Sequence, residues 1–315
     1  MQPSGGPFAE LWSPAGSPID LFAEDALVGV PGRLRRGTVS VVVTSPPYNL
    51  GIAYSRYHDA RPRAEYLDWV CRVGKTVRDV LAHDGSFFLN VGSPPKDPWL
   101  AWDVAREVRE SLVLQNVIHW VKSIAIERAD VGRASGLERD LAVGHYQPVP
   151  SRRFLHGAHE YLFHFTHRGD LPLDRLGVGV PYQDKSNVTR WRGGRADIRC
   201  RGNTWFLPYP TIRVGHRDRP HPASYPVELP ERCIRLHGTS RVRLVLDPFL
   251  GIGASAVAAL RLGLPFVGFD VDPAYLATAR ERLTREGAVL RERTASHPRA
   301  LTRSRVSATP SRVSS

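Results

Sequence analysis

The sequence predicts an α/β fold with a mostly parallel β-sheet at its centre, and three observations on the 315-residue chain lead to that prediction. Short apolar runs rich in β-branched or aromatic residues, such as 39–43 and 86–91, are typical of buried strands. Longer segments between them, such as 64–81, carry apolar residues at a helical period. A strand, helix, strand order favours right-handed parallel crossovers, and a hydrophobic fraction of 42% is enough to form a core.

The N-terminal part of the chain supplies the first strand. Residues 1–18 are rich in Pro, Gly and Ser without a periodic pattern, and we interpret them as a flexible arm. A short strand follows at 19–22, and we place it one strand away from Ser45 in a parallel sheet. Asp25 comes directly after this strand and is a candidate acceptor at a ligand pocket, although a lone Asp at such a position is also a common helix N-cap.

The stretch Thr-Ser-Pro-Pro-Tyr-Asn-Leu-Gly at 44–51 ends an apolar strand. Pro46 and Pro47 remove two backbone donors, which leaves the Ser45 hydroxyl and nearby carbonyls as acceptors beside the ring of Tyr48. Such a pocket suits a flat group with N–H donors, for example the exocyclic amine of a nucleobase. A strand followed by a Pro-rich turn explains these residues equally well, so other parts of the chain have to decide.

The remaining elements follow from the same periodicities. We predict helices at 64–81, 98–112, 227–236 and 275–283, and strands at 86–91, 113–121 and 159–166. The strand at 159–166 carries two histidines without a third metal ligand at a suitable spacing, so hydrogen-bonded histidines are favoured over a metal site. The three cysteines show no Cys-x-x-Cys spacing, and we expect reduced thiols and no metal.

Two irregular segments, 123–157 and 168–204, combine many arginines with aromatic residues. This composition suits phosphate contacts and stacking on unpaired bases, and long loops in a compact domain are uncommon without a task. A solvated loop is the alternative. The net charge of +12 is consistent with a polyanionic partner, but the excess of Arg over Lys weakens that argument. The candidate nucleic-acid contacts in these segments are Arg153, Lys185, Arg190, Arg192 and Arg195.

A β-turn-α-β unit lies near the C-terminus. A strand at 243–246 leads into the turn 247–253, a helix covers 255–262, and a strand at 266–269 ends at Asp270. The turn reads Asp-Pro-Phe-Leu-Gly-Ile-Gly, in which glycines allow a ligand to approach the backbone. An acid about 20 residues later is expected to bind a ribose. Because a third glycine at the dinucleotide spacing is absent, a mononucleoside-like cofactor is favoured over NAD.

Taken together, these motifs resemble those of the DNA amino-methyltransferases, whose catalytic motif is Asp, Asn or Ser followed by Pro-Pro-Tyr. The turn 247–253 resembles the Phe-x-Gly-x-Gly motif of S-adenosylmethionine-dependent methyltransferases, and it follows Ser45 instead of preceding it. This circularly permuted order resembles the β group of the family, and the resemblance covers residues 19–285. It implies a Rossmann-like methyltransferase fold with helices on both faces of the sheet, a C-terminal β-hairpin strand and an inserted target-recognition region.

The resemblance implies catalytic roles for the Ser-Pro-Pro-Tyr residues. Ser45 and the carbonyl of Pro46 would accept hydrogen bonds from the target amine, Pro47 belongs to the same motif, and Tyr48 would stack on the flipped base. The methyl group would pass directly to nitrogen without a covalent enzyme intermediate, which fits the absence of a Pro-Cys nucleophile. Ser at the first position is similar to the N4-cytosine branch, and N6-adenine is the alternative.

The resemblance also implies cofactor and DNA contacts. Asp270 would bind the ribose hydroxyls and Asp25 the adenine amino group. The full set of implied contacts with S-adenosylmethionine is Asp25, His221, Asp247, Phe249, Gly251, Gly253 and Asp270. Lys122 with Arg153 resembles a hairpin that helps to hold the base, and residues 168–204 match the main recognition region. Double-stranded DNA is the expected partner, together with a cognate restriction endonuclease if the enzyme is half of a restriction-modification pair.

The resemblance divides the chain into five parts. They are a flexible arm (1–18), a catalytic half (19–122), target-recognition insertions (123–204) with one core strand at 159–166, a cofactor-binding half (205–290) and a disordered basic tail (291–315). No signal peptide or membrane span is evident, so we expect a cytoplasmic protein. An RNA or protein methyltransferase and a DNA-binding protein without catalysis are the further alternatives, and the sequence leaves the oligomeric state open.

Overall fold

The computed structural model describes residues 6–132, 136–144, 151–186, 188, 197–208 and 224–290. Four residues with predicted roles, His221, Arg190, Arg192 and Arg195, lie outside the described residues, as does the predicted tail 291–315. Within the described part, no helix is long and apolar enough to cross a membrane.

The strands, in chain order, are β1 (Ala9–Trp12), β2 (Pro18–Ala23), β3 (Val39–Thr44), β4 (Leu81–Val91), β5 (Val113–Val121), β6 (Ser123–Ile126), β7 (Leu141–Gly144), β8 (His159–Thr166), β9 (Thr204–Phe206), β10 (Val245–Asp247), β11 (Phe266–Asp270) and β12 (Val289–Leu290). The α-helices are α1 (Ala26–Arg33), α2 (Arg63–Val80), α3 (Leu100–Arg109), α4 (Arg128–Val131), α5 (Glu228–His237), α6 (Ala254–Arg261) and α7 (Pro273–Arg285). A 3₁₀ turn covers Thr239–Arg241. All the strands and helices that the sequence predicted are confirmed, within a few residues at their ends.

Ten strands form one sheet in the order β12-β1-β2-β11-β10-β3-β4-β8-β5-β9. The five central strands β2, β11, β10, β3 and β4 run parallel to one another. β8 lies antiparallel between β4 and β5, which supplies the predicted hairpin strand. The predicted α/β fold with a mostly parallel central sheet is therefore confirmed.

Helices cover both faces of the sheet. Helices α5, α6 and α7 pack on one face through apolar residues such as Leu229, Val257 and Leu276. Helices α1, α2 and α3 pack on the other through residues such as Tyr66 and Val104. Since successive residues of a strand point to opposite faces, the apolar run of β3 contributes to both cores, and all six of its residues are buried.

The pairing of β3 with β10 brings distant parts of the chain together. Val42 on β3 is in register with Leu246 on β10, and β4 pairs on the other side of β3. The strands are parallel, so the Ser-Pro-Pro-Tyr motif after β3 and the glycine turn after β10 emerge at the same edge of the sheet. Ligand sites of open α/β sheets lie at the carboxyl ends of the strands.

Three interpretations of the sequence are wrong. Residues 9–12, which we assigned to a flexible arm, form β1 and pair with β2, and Leu11 is buried in the core. Asp25 does not follow a strand next to that of Ser45, because β11 and β10 lie between β2 and β3. The segment 123–157 is not wholly irregular, since β6 and β7 form an antiparallel hairpin that directly follows Lys122.

Candidate active site

A cavity of about 340 Å³ lies at the carboxyl ends of the central strands. It has one end at the Ser-Pro-Pro-Tyr motif and another at the glycine turn after β10, and we call these the base end and the cofactor end. The predicted site residues that line it are Asp25, Ser45, Pro46, Pro47, Tyr48, Lys122, Phe249, Gly251 and Asp270. Asp247, Gly253, Arg153 and Lys185 are not among the lining residues.

Asp247 lies behind the cavity and holds several segments together. Its carboxylate is fully buried and accepts hydrogen bonds from Thr44 Oγ1 (2.6 Å), Ser255 Oγ (2.5 Å) and Tyr225 OH (3.1 Å). It also accepts from the backbone N–H of Phe249 at 3.0 Å. Burial raises its pKa, whereas these hydrogen bonds lower it. The structure therefore gives Asp247 a supporting position instead of a direct place in the cavity.

The glycine turn positions Asp270 at the cofactor end. The N–H of Gly251, whose φ is 52°, donates to Asp270 Oδ2 at 2.8 Å, and the N–H of Asp272 donates to Oδ1 at 2.8 Å. Burial raises the pKa of Asp270 to about 6. Gly253 has φ 83°, and a Cβ there would lie 2.8 Å from Ala279 Cβ, so glycine allows α6 to begin close to α7.

Aromatic rings and one acid complete the cofactor end. Phe249 packs against Trp69 with their ring centroids 5.3 Å apart, and both line the cavity with Tyr275. Asp25 also lines it, and its Oδ1 accepts from the N–H of Leu27 at 2.7 Å, which makes it the N-cap of α1. The two interpretations offered for Asp25, a helix cap and a pocket residue, are therefore compatible.

The loop after the Ser-Pro-Pro-Tyr motif covers the cofactor end. Its shape depends on Asp59, which is buried and accepts from the backbone N–H groups of Asn49 (2.8 Å), Leu50 (3.0 Å) and Ile52 (3.1 Å). Ile52, Tyr54 and Tyr57 from this loop line the cavity. Ser55 Oγ donates to Asp272 Oδ2, which joins the loop to the cofactor-binding half.

At the base end, side chains from three segments meet at the Tyr48 hydroxyl. It lies 2.6 Å from Ser45 Oγ, 3.1 Å from Glu160 Oε2 and 3.2 Å from the carbonyl oxygen of Asn90. The Asn90 side chain donates to the same hydroxyl at 2.8 Å through Nδ2. Burial, followed by the charge of Glu160, raises the pKa of Tyr48 well above its ordinary value, so the phenol stays protonated.

Lys122 and Asn90 hold Glu160 in place. Lys122 Nζ forms an ion pair with Glu160 Oε1 at 2.9 Å, and Asn90 Nδ2 donates to Oε2 at 2.7 Å. We did not predict roles for Asn90 and Glu160. The available signal was weak: Asn90 is a polar residue inside the apolar strand β4, and Glu160 is one of several polar residues in β8.

The structure separates the candidate DNA contacts. Lys122 belongs to the cavity, whereas Arg153 is exposed in the segment before β8. Lys185 is also exposed and pairs with Asp197. Among the described residues, no group of three or more His, Cys, Asp or Glu side chains is arranged to hold a metal ion.

Comparisons with known proteins follow the same motifs. The family model N6_N4_Mtase, described as DNA methylase, matches residues 39–281. The chain is 29% identical over 263 residues to type II methyltransferase M.BglII from Bacillus subtilis, a match that covers 79% of this chain and 64% of that protein, just under two thirds of its length. It is 26% identical over 260 residues to type II methyltransferase M1.MboII from Moraxella bovis, covering 77% of this chain and 88% of that protein.

Two solved structures share the fold. The cytosine-N4-specific PvuII DNA methyltransferase matches with a TM-score of 0.61 and 17% identity, covering 90% of this chain and 94% of that chain. A DNA modification methylase from Thermus thermophilus, TTHA0409, solved in complex with S-adenosyl-L-methionine, matches with a TM-score of 0.54 and 22% identity, covering 85% of this chain and 94% of that chain.

Proposed function

Because the chain belongs to the DNA methylase family whose model matches residues 39–281, we propose that it methylates the exocyclic amine of a flipped base in double-stranded DNA. Cytosine N4 is the proposed target, and S-adenosylmethionine is the proposed methyl donor. The observation that carries the proposal is one cavity lined both by Ser45 and Tyr48 of the catalytic motif and by Gly251 and Asp270 of the cofactor motif.

The residues at the cofactor end fit S-adenosylmethionine. The Asp270 carboxylate, fixed by two backbone amides, is an acceptor suited to ribose hydroxyls. Asp25 would accept from the adenine amino group, and Phe249 with Gly251 would line the methionine end. When bound, the cofactor supplies an electrophilic methyl group. His221, Asp247 and Gly253 complete the proposed set, with Asp247 and Gly253 acting through the shape of the turn.

At the base end, the chain supplies acceptors for the target amine. Its lone pair is delocalised into the ring, so acceptors on its N–H groups make the nitrogen a better nucleophile. Ser45 Oγ and the Pro46 carbonyl are placed for this role, and both residues line the cavity. Pro47 ends the motif before Tyr48, whose ring is proposed to stack on the base. Rotation of the base out of the duplex costs a few kcal/mol, which contacts in the cavity offset.

The preference for cytosine N4 over adenine N6 rests on Ser45. A serine hydroxyl accepts a hydrogen bond but is not a strong base, and it is similar to the first residue of the N4-cytosine motif. The family model covers both kinds of DNA methylase, so adenine N6 is the second candidate. The match to type II methyltransferases such as M.BglII supports a role beside a cognate restriction endonuclease.

We propose that basic residues outside the cavity hold the DNA backbone. Arg153 and Lys185 are exposed in the two insertions, where they are available to phosphates. Arg190, Arg192 and Arg195 belong to the same proposal on the basis of the sequence. Lys122 differs from them, because it is paired with Glu160 at the base end.

Methylation mapping at base resolution tests the function. Genomic DNA from a methylation-free host that expresses the chain should carry N4-methylcytosine at one recurring motif. The same pattern on adenine would transfer the proposal to N6. Unmodified DNA from a host with folded protein that binds S-adenosylmethionine would contradict a DNA substrate and favour RNA or protein.

A Ser45→Ala variant is the matched control for that experiment. We expect methyl transfer to fall about 100-fold, as for the loss of one group that stabilises developing charge. Binding of S-adenosylmethionine, measured by calorimetry, should be unchanged because Ser45 lies at the base end. A methylation rate equal to that of the wild type would remove Ser45 from the proposed chemistry.

A further inference from the structure

The hydrogen bonds at the base end have a fixed direction. Tyr48 OH has one hydrogen to donate, and two of its neighbours, the Glu160 carboxylate and the Asn90 carbonyl, can only accept. The hydrogen of Tyr48 therefore points to one of these, and the Tyr48 oxygen must accept from Ser45 Oγ–H. The hydrogen of Ser45 is thus committed to Tyr48, which leaves the serine oxygen as an acceptor toward the cavity.

The position of Glu160 is set by contacts on every side. Lys122 and Asn90 each hold one carboxylate oxygen. Gly92 provides the space, because a Cβ there would lie 3.1 Å from Glu160 Cγ and 3.3 Å from Tyr48 Cε2. The Glu160 side chain is 17% exposed and lines the cavity. Such a carboxylate, tied to the catalytic motif through one tyrosine, needs an explanation beyond structural support.

We propose that Glu160 is the terminal proton acceptor for the methyl transfer, reached from Ser45 through Tyr48. This proposal rests on the proposed function. When the target nitrogen bonds to the methyl carbon, the electrons of the carbon–sulfur bond leave with sulfur, and the nitrogen carries one surplus proton. That proton passes to Ser45 Oγ, the serine hydrogen passes to the Tyr48 oxygen, and the Tyr48 hydrogen passes to Glu160 Oε2. Both hydroxyls are restored, and Glu160 becomes a neutral acid.

The relay accounts for a serine at the first position of the motif. A hydroxyl alone is a poor proton acceptor near neutral pH, whereas a carboxylate two hydrogen bonds away is a competent one. The groups that face Glu160 are Lys122, Tyr48 and His159. Burial lowers the pKa of His159, so this neighbour is mainly neutral at neutral pH.

Glu160→Gln tests the relay while keeping the size of the side chain. Single-turnover transfer of tritiated methyl groups to unmethylated genomic DNA should fall about 100-fold, the lower range for loss of a positioned acid or base. The decline of the wild-type rate at low pH, where the carboxylate is protonated, should be absent in the variant. Glu160→Asp should recover part of the rate. Glu231→Gln removes a carboxylate with a similar ion pair to Arg235 (2.9 Å, 22% exposed) outside the cavity and should keep the wild-type rate.

A second measurement needs neither cofactor nor DNA. The infrared band of the Tyr48 phenol, isolated as the difference between wild type and Tyr48→Phe, reports whether this hydroxyl donates to a carboxylate. It should shift in the Glu160→Gln background, and an unchanged band would overturn the relay. If the wild type transfers methyl groups and Glu160→Gln keeps both its rate and its low-pH decline, the relay alone is wrong. If the wild type transfers nothing to DNA, the relay and the proposed function are wrong together.

Discussion

The two ends of the cavity are built in different ways. At the cofactor end, the groups that fix Asp270 are backbone amides of nearby residues, Gly251 at a separation of 19 residues and Asp272 at a separation of two. At the base end, Tyr48 contacts Asn90 at a separation of 42 residues and Glu160 at a separation of 112. One β-turn-α-β unit therefore forms the first end, whereas side chains from three segments assemble the second.

This difference separates stability from activity. Backbone amides of a strand end and a helix start are fixed once the core is packed, so changes at the cofactor end act on folding first. Side chains that meet only in the tertiary structure can be exchanged for others of similar size at little cost in folding, but their chemistry is lost. We therefore expect substitutions at the base end to reduce activity with little change in the free energy of unfolding, and those supporting the cofactor end to do the reverse.

Asp247→Ala should have the largest effect on stability, because this residue connects the two ends. Three buried hydroxyls, those of Thr44, Ser255 and Tyr225, would lose their acceptor. Each unsatisfied group costs about 1–3 kcal/mol, so the free energy of unfolding should fall by roughly 3–5 kcal/mol in urea titrations. Asp68→Ala, at an exposed ion pair, is the control and should cost less than about 1 kcal/mol. Equal losses for the two variants would contradict the supporting role of Asp247.

Acid should destabilise the protein through a histidine pair beneath the base end. Ser86 on β4 lies 3.0 Å from His164 Nε2 and 3.0 Å from His237 Nδ1, and burial lowers the two pKa values to about 3 and about 4. The unfolded chain takes up protons below about pH 6.5, whereas the native histidines stay neutral. Their contribution is therefore complete above pH 6.5 and falls at lower pH, by up to about 1.4 kcal/mol per pH unit for each histidine.

Urea titrations at pH 7.5, 6.0 and 5.0 measure this dependence. His237→Gln should reduce the loss of stability between pH 6.0 and 5.0, because one of the two buried imidazoles is gone. His83→Gln, at an exposed position, is the control and should leave the pH dependence as in the wild type. Stability that does not change between pH 7.5 and 5.0 would contradict the lowered pKa values.

Gly253→Ala should have a smaller effect, confined to the cofactor end. The new Cβ would meet Ala279 Cβ at 2.8 Å at a residue with φ 83°, and we expect a loss of about 1–3 kcal/mol together with weaker binding of S-adenosylmethionine. Gly37→Ala is a matched control, since Gly37 has φ 70° with nothing within 4 Å of the added Cβ. The difference between the two free energies of unfolding isolates the steric contact, and no difference would mean that α6 and α7 can separate freely.

Arg153→Gln should have the smallest effect and leave both ends of the cavity intact. If Arg153 contacts one phosphate, the slope of log affinity for DNA against log salt should become less negative by about 0.9. Arg72→Gln on the outer surface of α2 is the control, because Arg72 is exposed and paired with Asp68. A slope equal to that of the wild type would remove Arg153 from the proposed DNA contacts.

The sequence predicted the cofactor end better than the base end for the same physical reason. Gly251 and Asp270 belong to one local unit in which strand, turn and helix have characteristic spacings, so the placement of Asp270 in the cavity is confirmed. Asn90 and Glu160 enter the site through pairing of β4 with β8, and no local spacing encodes that meeting. Sequence patterns also missed β1, because it is a four-residue strand within a Pro-, Gly- and Ser-rich segment.

The pairing of β3 with β10 also determines the order in which the protein can mature on the ribosome. Synthesis runs from the N-terminus, so β3 and β4 leave the ribosome long before β10, which is some 200 residues farther along the chain. Until then, one edge of β3 has no native neighbour, although all six of its residues are buried in the finished protein. Nascent chains must protect this apolar edge from pairing with other chains. They also lack the cofactor end throughout this period, so the catalytic motif is synthesised early and its site is completed last.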